Sequence, residues 1–140
     1  MTFPALPQAV DLMIGFPRAD ASAHYAGIRA MSKDAESATM KFPAEYMFKN
    51  VPNYLPDGAD PVAITLQEMD HCGVALGMIG DPYDEFGARA LRKHPDRFVA
   101  SIAVDPNDIT AAVRRIRRAK DEHDVKAVTS FPAGCNPQVP

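Results

Sequence analysis

The sequence predicts an α/β domain built on a parallel sheet of about four strands with helices between them. Three observations carry that prediction. Four short apolar runs are each closed by proline or by Asp-Pro, none of them alternates cleanly between apolar and polar residues, and helix-like patterns fill the intervals. Near-continuous apolar runs suit strands covered on both faces, as in parallel sheets. At 46% hydrophobic and 24% charged over 140 residues, the composition is that of one folded domain and not of a disordered segment.

The predicted strands are Ala9–Phe16 (AVDLMIGF) before Pro17, Val74–Gly80 before Asp81-Pro82, Phe98–Val104 before Asp105-Pro106, and Val125–Phe131 before Pro132. The helix before the second strand starts at Asp60, a good N-cap, with Pro61 at the first helical position, where its missing N–H costs nothing. Val62, Leu66 and Met69 share one face, and Gly73 is placed to end the helix. The next helix runs from about Glu85 to Lys93 and stops at His94-Pro95. In the third, Asn107 or Asp108 is the cap, Ile109, Ala112, Val113 and Ile116 form the apolar stripe, and His123 is the end. The resulting βα order with short connections implies right-handed crossovers. A further helix is expected from about Ala21 to Met31. After it comes a long insertion, Lys33–Gly58, carrying Pro43, Pro52 and Pro56 and the rings of Phe42, Tyr46, Phe48 and Tyr54. It reads either as a loop packing its own rings or as a lid over the carboxyl ends of the strands.

Several classes of function are disfavoured by composition. The net charge is −3, whereas a duplex-binding domain usually carries a basic excess. The one basic cluster, Arg114, Arg115, Arg117, Arg118 and Lys120, reads as the solvated face of the third helix, with Asp121, Glu122 and Asp124 following it. No apolar run approaches the roughly 20 residues that span a bilayer, and the N-terminus lacks the basic start of a signal peptide. Cys72 and Cys135 make neither a disulfide framework nor a zinc spacing and fit a reducing compartment. The expectation is a cytoplasmic protein that acts on a small molecule and binds neither nucleic acid nor membrane.

His94-Pro95-Asp96-Arg97-Phe98, followed by Val99–Val104 and Asp105-Pro106, resembles the signature of the amidohydrolase-2 family of metal-dependent TIM-barrel hydrolases and decarboxylases. Leu66–Gly73 (LQEMDHCG), Val74–Gly80 and Ala112–Val128 resemble neighbouring segments of that family. The resemblance implies a partial (β/α)8 TIM barrel, with residues 1–140 forming one domain that is the N-terminal half of the barrel and residues 33–58 an insertion loop. Whole barrels take about 250 residues, and four strands leave two unpaired edges. A homo-oligomer, or completion by the missing half, is therefore expected. The implied activity is hydrolysis of a C–N or C–O bond, or decarboxylation, of a small, carboxylate-bearing substrate, with Zn²⁺ or Mn²⁺ polarising the reacting group.

The family places His-x-His near the end of its first strand, where two imidazoles at i and i+2 grip one ion. Those positions here are Met13 and Gly15. A thioether is a soft donor and glycine offers none, so no metal ligand is assigned in this chain. His24, His71, His94 and His123 are scattered and read as structural. A non-catalytic binding or oligomerisation module is the alternative. Substrate-binding candidates are the polar residues that follow the strands: Arg18, able to clamp a carboxylate, and Asp81 and Asp105, which before proline also serve as turn formers. Ser130 and Cys135 lie at or after strand four. A nucleophilic cysteine needs a base, and no histidine adjoins Cys135 in sequence, so no catalytic group is assigned.

Overall fold

The computed structural model describes residues 9–18, 36, 55–132, 135 and 137. His24, the helix expected over Ala21–Met31 and most of the 33–58 insertion lie outside the described residues. The chain divides into two compact units, residues 1–16 with 62–140 and residues 17–61, and the first carries the sheet.

The element order is β1 (Ala9–Ile14), α1 (Pro61–Cys72), β2 (Val74–Ile79), α2 (Glu85–Lys93), β3 (Phe98–Ala103), α3 (Ile109–His123) and β4 (Ala127–Thr129). All neighbouring strands pair parallel, in the spatial order β1-β2-β3-β4, and the sheet is curled. The α/β class with four parallel strands and helices between them is thus present. Because the strands share one direction, their carboxyl ends all lie at one end of the sheet.

The core consists of Val62 and Met69 from α1, Ile79 from β2, Ala90 from α2, Phe98, Ala100 and Ile102 from β3, Ala119 from α3, and Val125. Phe16 closes it, its ring 5.8 Å from Phe98 and 6.3 Å from Phe86 in tilted and edge-on contacts. Expected burial on both faces holds for β3, where Phe98, Ala100, Ser101 and Ile102 are all buried. It fails for β1. Val10, Leu12 and Met13 are 54%, 66% and 90% exposed, and among the described residues β1 pairs with β2 alone. An apolar run reads the same in an edge strand as in a central one.

Two further expectations need correction. The fourth strand is three residues, not seven. Lys126 N–H already bonds to the Ala100 carbonyl before the ladder starts, and pairing covers only Ser101–Ala103. The apolar stripe of α3 is buried only towards its C-terminal half. Ala119 is buried and Ile116 half-buried, whereas Ile109 is 73% and Val113 41% exposed. A three-residue β4 gives the first turns of α3 little to pack upon.

Helix ends follow from local chemistry. Gly73 stands at φ +71 directly after α1, the left-handed position where the absence of a Cβ removes the steric penalty. At the end of α3 the same region is taken by Asp124, at φ 48. Aspartate tolerates this conformation better than most residues. Its carboxylate lies between the ammonium groups of Lys120 and Lys126, whose hydrogen bonds hold its pKa at about 2, below the ordinary 3.8.

The segment that carries the family resemblance is a structural lock. The Arg97 guanidinium donates from Nε to the Ala75 carbonyl at 3.1 Å, and from one terminal nitrogen to the Val74 carbonyl at 3.1 Å and to Asp70 Oδ1 at 2.7 Å. The Arg97 carbonyl accepts from Gly77 N–H at 2.9 Å. One residue therefore ties the end of α1, the start of β2 and the entrance to β3. His94 supports the same corner, its carbonyl accepting from Arg97 and Phe98 N–H. All of this sits at the amino end of the strands, away from their carboxyl ends.

Two outcomes are expected. Arg97→Ala leaves carbonyls underused in a half-buried corner and lowers unfolding free energy by about 2–4 kcal/mol in urea titrations. Asp70→Ala removes only an exposed ion-pair partner and costs less than about 1 kcal/mol, so equal losses would contradict the lock. The Asp124 carboxyl, depressed in the folded state, contributes stability that is present above its unfolded pKa of about 3.9 and is lost as pH falls towards 2. An NMR titration of this carboxyl should show a midpoint near 2, and a midpoint near 3.8 would contradict the double lysine contact.

Candidate functional site

Two four-residue segments build the carboxyl end of the sheet in the same way. After β2 comes Asp81-Pro82-Tyr83-Asp84, and after β3 comes Asp105-Pro106-Asn107-Asp108. In each, the first aspartate accepts a 2.9 Å hydrogen bond from the N–H two residues on, Asp81 Oδ1 from Tyr83 and Asp105 Oδ1 from Asn107. These are Asx turns, with proline pre-setting the backbone between. The second aspartate then caps the helix. Asp84 accepts from Phe86 and Gly87 N–H, and Asp108 accepts from Ala111 N–H. The cap of α3 is thus Asp108 and not Asn107. The repeated D-P-x-D pattern was legible and identifies Asp84, a cap that periodicity alone does not name.

The turns leave each first aspartate with a second oxygen for other partners. Asp81 Oδ2 faces the guanidinium of Arg115 at 3.9 Å. Arg115 is itself tethered, its Nε donating to the Ala103 carbonyl at the end of β3 at 3.1 Å. It therefore spans from the end of β3 to the turn after β2. Arg115 lies on the exposed face expected for this cluster, and in addition its side chain reaches the ends of β2 and β3, which periodicity does not record. The Arg115 side chain as a whole remains about half exposed, at 48%. Arg115 and Arg118 also stand 5.9 and 5.4 Å from the centre of the Tyr83 ring. The Tyr83 hydroxyl donates to Glu122 at 2.9 Å, and His123 meets the ring edge-on at 4.7 Å. Partial burial and the bond to Glu122 push the phenol above its ordinary range, while the hydrogen bonds from Tyr83 and Arg118 hold Glu122 below its own.

Asp105, Ser130 and Cys135 come together at the ends of β3 and β4. Burial first, then the Asp105 carboxylate, raise the Cys135 thiol above its ordinary pKa, and a hydrogen bond with Ser130 works the other way. The thiol also donates to the Phe131 carbonyl at 3.4 Å. An acidic neighbour holds a cysteine protonated, the opposite of what a nucleophile needs. Nearby, Asn107 Nδ2 donates to the Pro137 carbonyl at 2.7 Å.

The remaining candidates are placed elsewhere. Arg18 is exposed and belongs to the unit of residues 17–61, not to the unit that carries Asp81 and Asp105. His71 is exposed in the last turn of α1, His94 caps the end of α2 and His123 closes α3. At the end of β1, Met13 is 90% exposed and Gly15 has no side chain. A lone thioether and a glycine do not supply the nitrogen or oxygen donors that Zn²⁺ or Mn²⁺ requires, so this strand end does not fit such an ion. Among the described residues no group of three or more His, Cys, Asp or Glu is arranged to hold a metal. None of the helices among them is long and apolar enough to cross a membrane. Comparisons with protein-family models, curated proteins and solved structures each found no match.

One residue fixes where Asp81 stands. A Cβ on Gly87 would lie 2.4 Å from the Asp81 carbonyl oxygen and 3.1 Å from Ile79 Cδ1. Glycine inside a short helix lowers helix propensity, and here it lets α2 close upon the turn. Gly87→Ala should therefore lower stability by about 1–3 kcal/mol despite alanine's better propensity, and should shift the amide resonances of Asp81–Asp84. A stabilised variant with unmoved resonances would contradict the close approach.

Proposed function

We propose that this chain is an amidohydrolase-like β/α module, the N-terminal half of a TIM-barrel architecture, that binds a small organic carboxylate at the carboxyl ends of its strands. The observation supporting this is the tethered Arg115 guanidinium, held between the Ala103 carbonyl and Asp81 at the end of a parallel sheet. Parallel α/β sheets bind ligands at that end, and a pre-positioned guanidinium can give a carboxylate two parallel hydrogen bonds. Asp81 holds the guanidinium in place, and Asp105 shapes the neighbouring turn and offers an acceptor to ligand hydroxyl groups. Arg18, in the unit of residues 17–61, stays a separate candidate for a carboxylate ligand.

The hydrolase or decarboxylase reading is favoured by one observation, the resemblance of His94–Phe98 and its flanks to the amidohydrolase-2 signature. No reaction step is assigned to a metal, because the end of β1 supplies Met13 and Gly15 where that chemistry needs ligands.

Titration with acetate, succinate and benzoate, followed by NMR, tests the proposal. Arg115 and Asp81 resonances should respond, and Arg115→Met should weaken binding at least about tenfold, the worth of a charge-assisted pair. Chelation with EDTA should leave binding unchanged. Binding that survives Arg115→Met would remove the carboxylate reading. Turnover stimulated by added Zn²⁺ or Mn²⁺ and lost on chelation would favour the hydrolase reading instead.

A further inference from the structure

We infer that Tyr83 is a positioning residue of the carboxylate site, its ring fixing where the Arg115 guanidinium stands. The inference rests on the carboxylate reading and adds the residue that prepares Arg115 for its ligand. The Arg115 side chain is long, and its Nε donates to the Ala103 carbonyl. Asp81 faces one terminal nitrogen at 3.9 Å, an ion-pair distance but too long for a hydrogen bond. Among the described residues no hydrogen bond ends on either terminal nitrogen, so these are the donors left to a ligand. One hydrogen bond at Nε lets the fork beyond it rotate about the N–H···O line. Ordering such a side chain costs affinity when the ligand has to do it.

The Tyr83 ring supplies the second restraint. Its centre lies 5.9 Å from the Arg115 guanidinium carbon, within the range of a cation–π contact. The ring is itself held at three points. Pro82 before it is buried, and the Tyr83 N–H donates to Asp81 Oδ1 at 2.9 Å, which sets the backbone. The hydroxyl donates to Glu122 at 2.9 Å, and His123 stands edge-on at 4.7 Å. Asp81 thus places the ring through one carboxylate oxygen and faces Arg115 with the other. Arg118 also lies against the ring, at 5.4 Å, but its Nε donates to both oxygens of Glu122, at 3.0 and 3.1 Å. Arg118 is therefore bonded to a carboxylate, whereas Arg115 only faces one. Arg115 is the cation that this corner presents, and the Tyr83 ring is the wall it stands against.

The test is titration of the full chain with acetate and with benzoate, followed by NMR, for Tyr83→Leu, Tyr83→Phe, Arg115→Met and the double variant of Tyr83→Leu with Arg115→Met. Tyr83 is 38% exposed, so its replacement opens no core. Tyr83→Leu should weaken binding about three- to tenfold, the size of a lost cation–π contact and a newly mobile side chain. Tyr83→Phe should stay within about twofold, because the ring is kept and only an exposed hydrogen bond is given up. In the Arg115→Met background Tyr83→Leu should weaken binding no further. Unchanged binding in Tyr83→Leu beside a loss in Arg115→Met would overturn this inference alone. Binding that survives Arg115→Met would overturn the carboxylate reading beneath it. Tyr83→Phe as weak as Tyr83→Leu, or an added loss in the double variant, would mark a general structural effect and overturn the positioning role. On the unaltered chain, nuclear Overhauser contacts should join Arg115 side-chain protons to the Tyr83 ring, and their absence would overturn it without any variant.

Discussion

The Arg97 guanidinium is the constraint on which the rest of the sheet depends. Two of its nitrogens engage the carbonyls of Val74 and Ala75 and the carboxylate of Asp70, while its own carbonyl receives Gly77. Carbonyls at the first turn of a strand have no guaranteed partner, and leaving them unpaired in a half-buried corner costs free energy. By satisfying them, Arg97 sets the level at which β3 enters beside β2, and Gly77 stands opposite Phe98 as a result. Phe98 then falls in the core against Phe16, and the alternation of β3 follows from there. A one-residue slip would move Phe98 to the opposite face of the sheet, away from Phe16.

With the amino end pinned, the carboxyl end is shaped by repeated turn chemistry. An Asx turn, a proline and a capping aspartate convert strand into helix twice over, after β2 and after β3. Each turn spends one carboxylate oxygen on the backbone and keeps the other for a partner. For Asp81 that partner is Arg115, while the Asp105 carboxylate is near enough to the Cys135 thiol to raise its pKa. The same residue type in the same local frame thus yields a cation-bearing corner in one place and a thiol of raised pKa in the other. The difference arises from what α3 and the segment after β4 bring to it.

Much of this fold is legible in the sequence. β2 and β3 are legible because both are covered, so that burial and apolar runs coincide. Gly73 is legible because a glycine directly after an amphipathic run is the usual way for a helix to end. The exposure of β1 is not legible, since Val10, Leu12 and Met13 form an apolar run whether one neighbour or two cover it. Nor is the shortness of β4, because Val125–Phe131 is apolar enough for seven residues and only pairing limits it to three. Arg97 and Arg115 stay hidden for a shared reason. Each acts by reaching backbone carbonyls 12 or more positions away in sequence, and no local pattern records where a guanidinium lands. The motif carrying the family resemblance proves to be architectural in this chain, whereas the polar residues at the strand ends are located only by topology.

The most direct test of this architecture is the set of interstrand nuclear Overhauser contacts in the folded chain. Parallel-strand contacts are predicted between Gly77 and Phe98, and between Ser101 and Ala127, together with a contact from the Arg97 Nε proton to Val74 or Ala75. Antiparallel contacts between any of these strands, or an Arg97 side chain without restraint to β2, would contradict it.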